Sequence, residues 1–173
     1  REEKIEPYDL FKHTGRLRYI GLRHSKFYDD LMVTVVVAAK PDSFGEEKPV
    51  YMKLAGRLKE VKSVRSVYAC LNTGVADVSM TGDIRLLNGD GHIREKINGI
   101  EYLIDPLVFF QTNSFCCSRL YETIRDEAKD LGGGTLLDLY CGSGGITLQV
   151  ADCFQKVTGI DLSEKNIEDA GNN

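Results

Sequence analysis

The sequence of 173 residues has no apolar run approaching the ~18 residues of a membrane-spanning helix. It has no Cys-x-x-Cys pair among Cys70, Cys116, Cys117, Cys141 and Cys153, and no zinc or iron–sulfur spacing. His13, His24 and His92 lack ligand spacing as well, so no metal or iron–sulfur cluster is expected. The odd, scattered cysteines suit reduced thiols in a cytosol-like, cytoplasmic compartment. Cys116 and Cys117, being adjacent, should face different sides of a helix. No internal repeat or low-complexity segment is present; no signal peptide is visible, and a missing native N-terminus hides that evidence. The chain opens on Arg1 rather than Met and ends at Asn173 inside a helical pattern, which reads as a segment cut at both ends.

An excess of positive charge is also missing. Of 22 basic and 26 acidic residues, positions 1–113 hold 17 and 16, and positions 114–173 hold 5 and 10. Overall charge therefore advertises no nucleic-acid partner, and any such partner must use a local patch. The stretch Lys12, His13, Arg16, Arg18, Arg23, His24 and Lys26, interleaved with Tyr19, Phe27 and Tyr28, is a candidate, with a solvated strand face as the alternative.

Residues 1–113 read mostly as strands and turns. Leu17–Leu22 alternates like a half-buried strand, and Met32–Val37 is continuous and β-branched like a buried one. A loop at 41–45 precedes a helix over ~46–61, with Val50, Leu54, Leu58 and Val61 on one face and Glu46 and Glu47 favouring its dipole. Val64–Leu71 is a further strand. Gly82–Leu87 and His92–Ile97 flank Asn88-Gly89-Asp90-Gly91, a hairpin signal, and Asn98-Gly99 turns the chain into Ile100–Ile104.

After Asn113 the pattern changes. Ser114 can cap a helix with Cys117, Leu120, Tyr121, Ile124 and Ala128 on its apolar face, stopped by Gly132-Gly133-Gly134. A buried strand at 135–140, a glycine turn, a helix at ~145–153, a strand at 156–161 and a helix capped by Ser163 complete the chain. This αβαβα order opens a doubly wound parallel sheet. The expected fold is α/β, a truncated Rossmann-like domain over 109–173 preceded by a β-rich α+β module over 1–108.

The glycine turn carries the functional signal. Leu136-Leu-Asp-Leu-Tyr140-Cys-Gly142-Ser-Gly144-Gly145 runs a strand into glycines that let the backbone approach a ligand, and Asp161 ends the next strand where a ribose contact would fall. A dinucleotide turn wants a third small residue where Thr147 stands. S-adenosyl-L-methionine has no phosphate, so the pattern suits it better. A lone G-x-G can also be purely structural, Gln111 and Asn113 can simply cap the helix at 114, and Tyr140 can be core packing. Asp138 reads as a backbone-organising acid rather than a ligand.

Asp138-Leu-Tyr-Cys-Gly-Ser-Gly-Gly resembles the cofactor loop of the RNA (uracil-5-)-methyltransferases, the family that modifies tRNA and ribosomal RNA. Phe109-Phe110-Gln111-Thr112-Asn113 is similar to that family's Phe-x-Gln-x-Asn element, and Asp161–Ala170 with Asn172 to the helix after its acidic ribose contact. The resemblance covers ~64–173 well and ~15–40 loosely. It implies S-adenosyl-L-methionine as cofactor and RNA as partner. Gln111 would contact the methionine part, Tyr140 would lie along the cofactor, Gly142 and Gly144 would admit it, Gly145 would bind it through the loop, and Asp161 would hold the ribose hydroxyls. Two positions depart from the family: Asp161 stands where Glu is frequent, and Gly145 where some members have Asn.

Methylating uracil C5 requires a thiolate to add at C6, attack of the resulting enolate on the methyl group of the sulfonium, and a base to remove the C5 proton as the thiolate leaves C6. In the family the thiolate and base lie downstream of these motifs, and none of the five cysteines matches: Cys141 reads as packing under the glycine turn, and Cys70, Cys116, Cys117 and Cys153 read as core, so no catalytic residue is assigned. The chain alone is expected to lack methyl transfer, with its β-rich part the better ordered. A methyltransferase acting on a small molecule or protein, or a non-enzymatic RNA-binding module with a vestigial cofactor fold, remain as alternatives.

Overall fold

The computed structural model describes residues 5–42, 44–74 and 82–173, and the chain divides into two compact units. The first comprises residues up to Ser25 together with Asp29–Ile93. The second comprises Lys26–Tyr28 and Arg94–Asn173. The sequence pattern changes near residue 109, whereas the compact units divide at 93/94, because the hairpin beyond that point belongs with the second unit.

The first unit is a four-stranded sheet of β1 (Leu17–His24), β2 (Leu31–Val37), β3 (Val64–Leu71) and β4 (Asp83–Gly89), in that spatial order. The outer pairs are antiparallel, and β2 and β3 are parallel. A parallel pair needs a crossover, supplied here by α1 (Phe44–Leu58). The core forms where Val33, Val35, Val67 and Ala69 meet Phe44, Tyr51 and Ala55 of α1, with the Phe44 and Tyr51 rings stacked 5.5 Å apart. The helix thus buries its Tyr51–Ala55 stripe rather than the expected Val50–Val61 face. Leu54 and Leu58 only flank the core and Val61 is exposed. The side chains of Glu46 and Glu47 lie outside the described residues. On edge strand β1 the expected alternation is not matched by burial, since Ile20 and Leu22 are exposed.

The turn at Asn88–Gly91 does not make a hairpin. β4 pairs with β3, while β5 (Ile93–Ile97) pairs with β6 (Ile100–Ile104) in a separate sheet. Strand β3 captures the turn: Asp90 N–H donates to Arg65 O, Gly91 N–H to Ser66 Oγ, and Tyr68 OH to Gly91 O. The expected hairpin at Asn98-Gly99 does form, both residues taking positive φ (49° and 89°) as a two-residue turn demands.

In the second unit, α2 (Ser114–Leu131) is capped by Asn113, whose side chain accepts from Cys116 N–H, so Ser114 is the first helical residue rather than the cap. Its buried stripe is Cys117, Tyr121 and Ala128, with Leu120 outside it. Cys116 faces solvent, opposite to Cys117. β7 (Thr135–Leu139) and β8 (Lys156–Ile160) form a parallel pair joined through α3 (Gly145–Val150) and a 3₁₀ turn at Ala151–Cys153, and α4 (Glu164–Asn172) comes after β8. β7 is not the buried strand its leucines suggest. Among the described residues it pairs with β8 alone, and Leu137 and Leu139 are exposed. The unit's centre is polar as well as apolar. Gln149, buried, donates to Ile97 O and Tyr102 OH, and Tyr102 OH donates to Gly145 O (3.0 Å). No helix of the described residues is long and apolar enough to cross a membrane.

Candidate functional site

The two βα turns of the parallel pair meet at the carboxyl end of β7. Here the chain leaves β7 through Tyr140, Cys141, Gly142, Ser143 and Gly144. Tyr140 (φ 63°), Gly142 (φ 55°) and Gly144 (φ 81°) all lie in the left-handed region. Glycine takes this region freely, but a tyrosine does so only when its surroundings compel it. The compulsion comes from the next two residues: Cys141 N–H donates to Ile160 O (3.1 Å) and Gly142 N–H to Asp161 Oδ2 (2.9 Å). Tyr140 consequently stands 88% exposed at the strand end, so it is not core packing.

Asp161 is the organiser of this junction. Besides Gly142 N–H, its carboxylate accepts Ser163 N–H and Asn166 Nδ2, each at 2.9 Å. The bonds from Ser163, Asn166 and Gly142 hold its carboxyl below the usual range, so it is charged at neutral pH. Asp138 accepts the Thr147 hydroxyl and so pins the first turn of α3 to β7. Ser163 caps α4 by accepting Asn166 N–H, and Asn173 donates to Ser143 O (3.1 Å) while accepting Leu103 N–H. Thr147, Asn166 and Asn173 do not stand out in the sequence as site residues. Only Asn166 has a local signal, an amide one helical turn beyond a strand-end acid.

The glycines divide by what surrounds them. A Cβ on Gly142 would meet nothing within 4 Å, so that side of the turn is an open cradle. On Gly144 it would touch Leu148 and Ala170 at 3.3–3.4 Å. On Gly145 it would lie 2.6 Å from Tyr121 Oη, so this glycine has a packing reason of its own. Gln111 is half-buried, and its side chain has no hydrogen-bond partner among the described residues; only Asn113 of that element serves as a cap. Neighbouring Phe110 is buried against Tyr102, which bonds Gly145, so the Gln111 segment and the glycine turn are tied through one tyrosine.

The cysteines divide between packing and solvent. Cys141 is buried beneath the turn on Gly159, where an added Cβ would come within 2.8 Å of its Sγ. Burial, with the charges of Asp138 and Asp161, pushes its thiol up. Burial likewise raises Cys70 and Cys117. Cys116 is exposed rather than a core residue, and Cys153 is half-buried.

The basic stretch is divided by the fold. In the first unit Arg16 donates to Ala38 O, and Arg18 donates to Asn72 O and Gly74 O and lies 4.7 Å from the Tyr8 ring centroid. His24 Nε2 sits 2.7 Å from Asp29 Oδ1. Lys26, Phe27 and Tyr28 belong to the second unit.

Comparison with known proteins matches residues 84–173 to the family described as tRNA (uracil-5-)-methyltransferase. An uncharacterized RNA methyltransferase of Nanoarchaeum equitans is 33% identical over 166 residues, covering 95% of this chain and 35% of its own length. One from Clostridium acetobutylicum is 31% identical over 173 residues, covering 100% and 37%. Among solved structures, the Pyrococcus abyssi tRNA (uracil-54, C5)-methyltransferase in complex with S-adenosyl-L-homocysteine superposes with a TM-score of 0.76 at 33% identity, over 99% of this chain and 39% of that one. Trm5b from the same organism shares the fold at 16% identity and a TM-score of 0.52. The chain thus spans little more than a third of the length of these relatives.

Proposed function

Because the chain belongs to the tRNA (uracil-5-)-methyltransferase family, we propose that it forms the cofactor loop and an RNA-facing module of an S-adenosyl-L-methionine-dependent enzyme methylating C5 of a uridine in tRNA or ribosomal RNA. The observation that carries this reading is the turn after β7, with three left-handed residues, an open side at Gly142 and a charged Asp161 bonded to its backbone. The donor set fits a cofactor without phosphate. The turn offers close backbone approach and a carboxylate, and Thr147 stands where a dinucleotide turn has its third small residue.

When bound, S-adenosyl-L-methionine supplies an electrophilic methyl group on a sulfonium. This chain's residues would bind and orient it. Gly142 and Gly144 admit it to the backbone, Gly145 contributes only main chain, and Tyr140 lays its ring along it. The Gln111 amide meets the methionine part. Asp161, charged and just past the end of β8, offers its carboxylate to a ribose hydroxyl. Residues 109–173 act as the first part of a Rossmann-like methyltransferase domain and 1–108 as the module facing RNA. The nucleophile and base are assigned to no residue of this chain. The setting is cytoplasmic.

The test pairs calorimetric titration of the chain with S-adenosyl-L-methionine and a tritium-transfer assay, by the gene product carrying this sequence, on unmodified tRNA and ribosomal RNA. Labelled 5-methyluridine is the expected product. Label appearing only in protein or a small molecule would move the reading to another methyltransferase class. Absence of both cofactor binding and label transfer in the gene product would leave only a non-enzymatic module.

A further inference from the structure

Glu95 has no part in the cofactor loop, yet it is the most deeply buried carboxylate of the described residues, 2% exposed. Its Oε2 accepts Lys26 N–H (2.8 Å) and the Ser114 hydroxyl (2.9 Å), and its Oε1 accepts Phe27 N–H (3.0 Å) and Lys96 N–H (2.9 Å). One side chain thereby fixes three pieces of the second unit: the 26–28 segment, β5 and the start of α2. Between them lies a cavity of about 350 Å³, within the size range of ligand pockets. Lys26, Phe27, Lys96, Asn98, Phe115 and Ser118 line it.

Its rim is aromatic and cationic. Phe27 is 61% and Phe115 71% exposed, two large rings held in water beside one cavity. The Lys96 ammonium lies 5.4 Å from the Phe27 ring centroid. The Phe27 and Tyr28 rings meet edge to face at 4.9 Å, and the Arg94 guanidinium sits 4.3 Å over Tyr28. Neither the Lys26 nor the Lys96 ammonium makes an ion pair among the described residues. The acids nearby are internally engaged: Glu95 by its four donors, and Glu101 by the Tyr28 hydroxyl. The lining is polar at Asn98 and Ser118, which hydrogen-bond each other. An apolar peptide would leave that pair facing grease. An unpaired base offers a π-face to the phenylalanines and polar edges to the amide and hydroxyl, with its phosphates near the lysines.

We infer that this groove is an RNA subsite, in which an unpaired base stacks on Phe27 and Phe115 while Lys26 and Lys96 neutralise the flanking phosphates. The inference rests on the RNA-methyltransferase reading but uses none of its cofactor residues. It is tested by fluorescence anisotropy of a labelled single-stranded oligouridylate on the whole chain and on Phe27→Ala, Phe115→Ala, the double variant, Phe27→Trp and Lys96→Ala. Each alanine at a ring should weaken binding about tenfold, and tryptophan should preserve it. Lys96→Ala should lower the salt slope by about one. Circular dichroism controls for folding, because both rings are exposed. Oligouridylate affinity unmoved by the double variant overturns the inference. So does loss of self-association in sedimentation with RNA affinity intact, which would make the groove a protein-docking face. Should the rings carry RNA binding while the gene product neither binds cofactor nor transfers label, the groove stands and the methyltransferase reading falls. Should the parental chain bind cofactor but no RNA, the reverse holds.

Discussion

Replacing Glu95 by glutamine changes one atom's chemistry without changing shape, and the hydrogen bonds around it set the cost. Each carboxylate oxygen accepts two bonds from different segments. If the amide nitrogen takes the Oε2 position, it faces Lys26 N–H, which cannot turn away, and Ser114, which can rotate its hydroxyl to accept. If it takes the Oε1 position, it faces two backbone N–H groups. The first is better, and it still leaves one buried donor opposed to another, at a cost of about 1–3 kcal/mol. The remaining bonds lose their charge assistance, about 1 kcal/mol more. A loss of about 3 kcal/mol should lower the melting temperature by roughly 6–12 °C for a chain of this size.

The pH dependence gives the test its edge. Burial alone would raise the Glu95 carboxyl, but the bonds from Lys26, Lys96, Ser114 and Phe27 outweigh it and hold the group below the ordinary glutamate range. A depressed folded pKa means the stabilisation is complete above the unfolded value of about 4.3 and is lost as pH falls through the folded one. Protonated Glu95 presents an O–H to the same donors the glutamine amide would face. The stability gap between parent and Glu95→Gln, measured by urea denaturation, should therefore be full near neutrality and close in acid. A gap that stays constant across that window would refute the charge clamp. No gap at all would refute the account of the four bonds.

Gly145→Ala should destabilise by about 1–3 kcal/mol through its 2.6 Å approach to Tyr121 Oη, and Tyr121→Phe in the same chain should recover part of that loss in a double-mutant cycle; additive effects would refute the contact. Gly142→Ala, with open space around its Cβ, should cost only about 1–2 kcal/mol for its left-handed backbone but sharply weaken S-adenosyl-L-methionine in calorimetry, whereas Gly144→Val should lose stability as well because Leu148 and Ala170 are in the way. Asp161→Asn should reduce cofactor affinity at least tenfold and loosen the turn. The parental affinity should be flat through neutral pH, since the carboxyl is held low by Ser163, Asn166 and Gly142 and its contribution is lost only as pH falls through that depressed value. Unchanged affinity in the variant would exclude Asp161 from the site.

What the sequence made legible was local chemistry. Asn98-Gly99 needs only two positive φ angles, and it forms the hairpin. Gly132-Gly133-Gly134 ends α2, and Gly133 and Gly134 take the positive φ that glycine adopts freely. Cys141 packs under the turn because the next strand carries a glycine at the matching position. What failed depended on partners distant in sequence. Asn88–Gly91 has hairpin chemistry as good as its neighbour's, but Arg65, Ser66 and Tyr68 of β3 claim its backbone and side-chain partners, and β4 pairs there instead. The helix over 44–58 has two plausible apolar stripes, and only the docking of Phe44 and Tyr51 on β2 and β3 decides between them. The leucines of β7 signal burial, but burial also requires a neighbouring strand, and β8 alone supplies one among the described residues. The site divides the same way. Its glycines and Asp161 are visible as a motif, whereas Glu95 reads as one polar residue in an alternating strand, and its clamp depends on segments 68 residues before it and 19 after.

Asp161 changes meaning between the two levels. As a strand-end acid it reads as a ribose ligand and nothing more. In the fold it is also the strut of the turn it would help a ligand enter. Its bond to Gly142 N–H, with the Cys141–Ile160 bond beside it, holds Tyr140 in a left-handed conformation costing about 1–2 kcal/mol for a residue with a Cβ. Such strain persists only where neighbouring contacts over-determine it, and here both contacts come from β8 and the residue after it. The open turn is therefore built before any ligand arrives, and a substitution at Asp161 acts on two things together: the carboxylate offered to the ligand and the backbone that shapes the cradle. The conservative variant separates them. Glutamate can accept a ribose hydroxyl but carries an extra methylene past Gly142 N–H. Asp161→Glu that keeps cofactor affinity while lowering thermal stability would assign the ligand role to the carboxylate and the strut role to its reach. Loss of both together would mean that the turn's shape, not the acid's charge, governs binding.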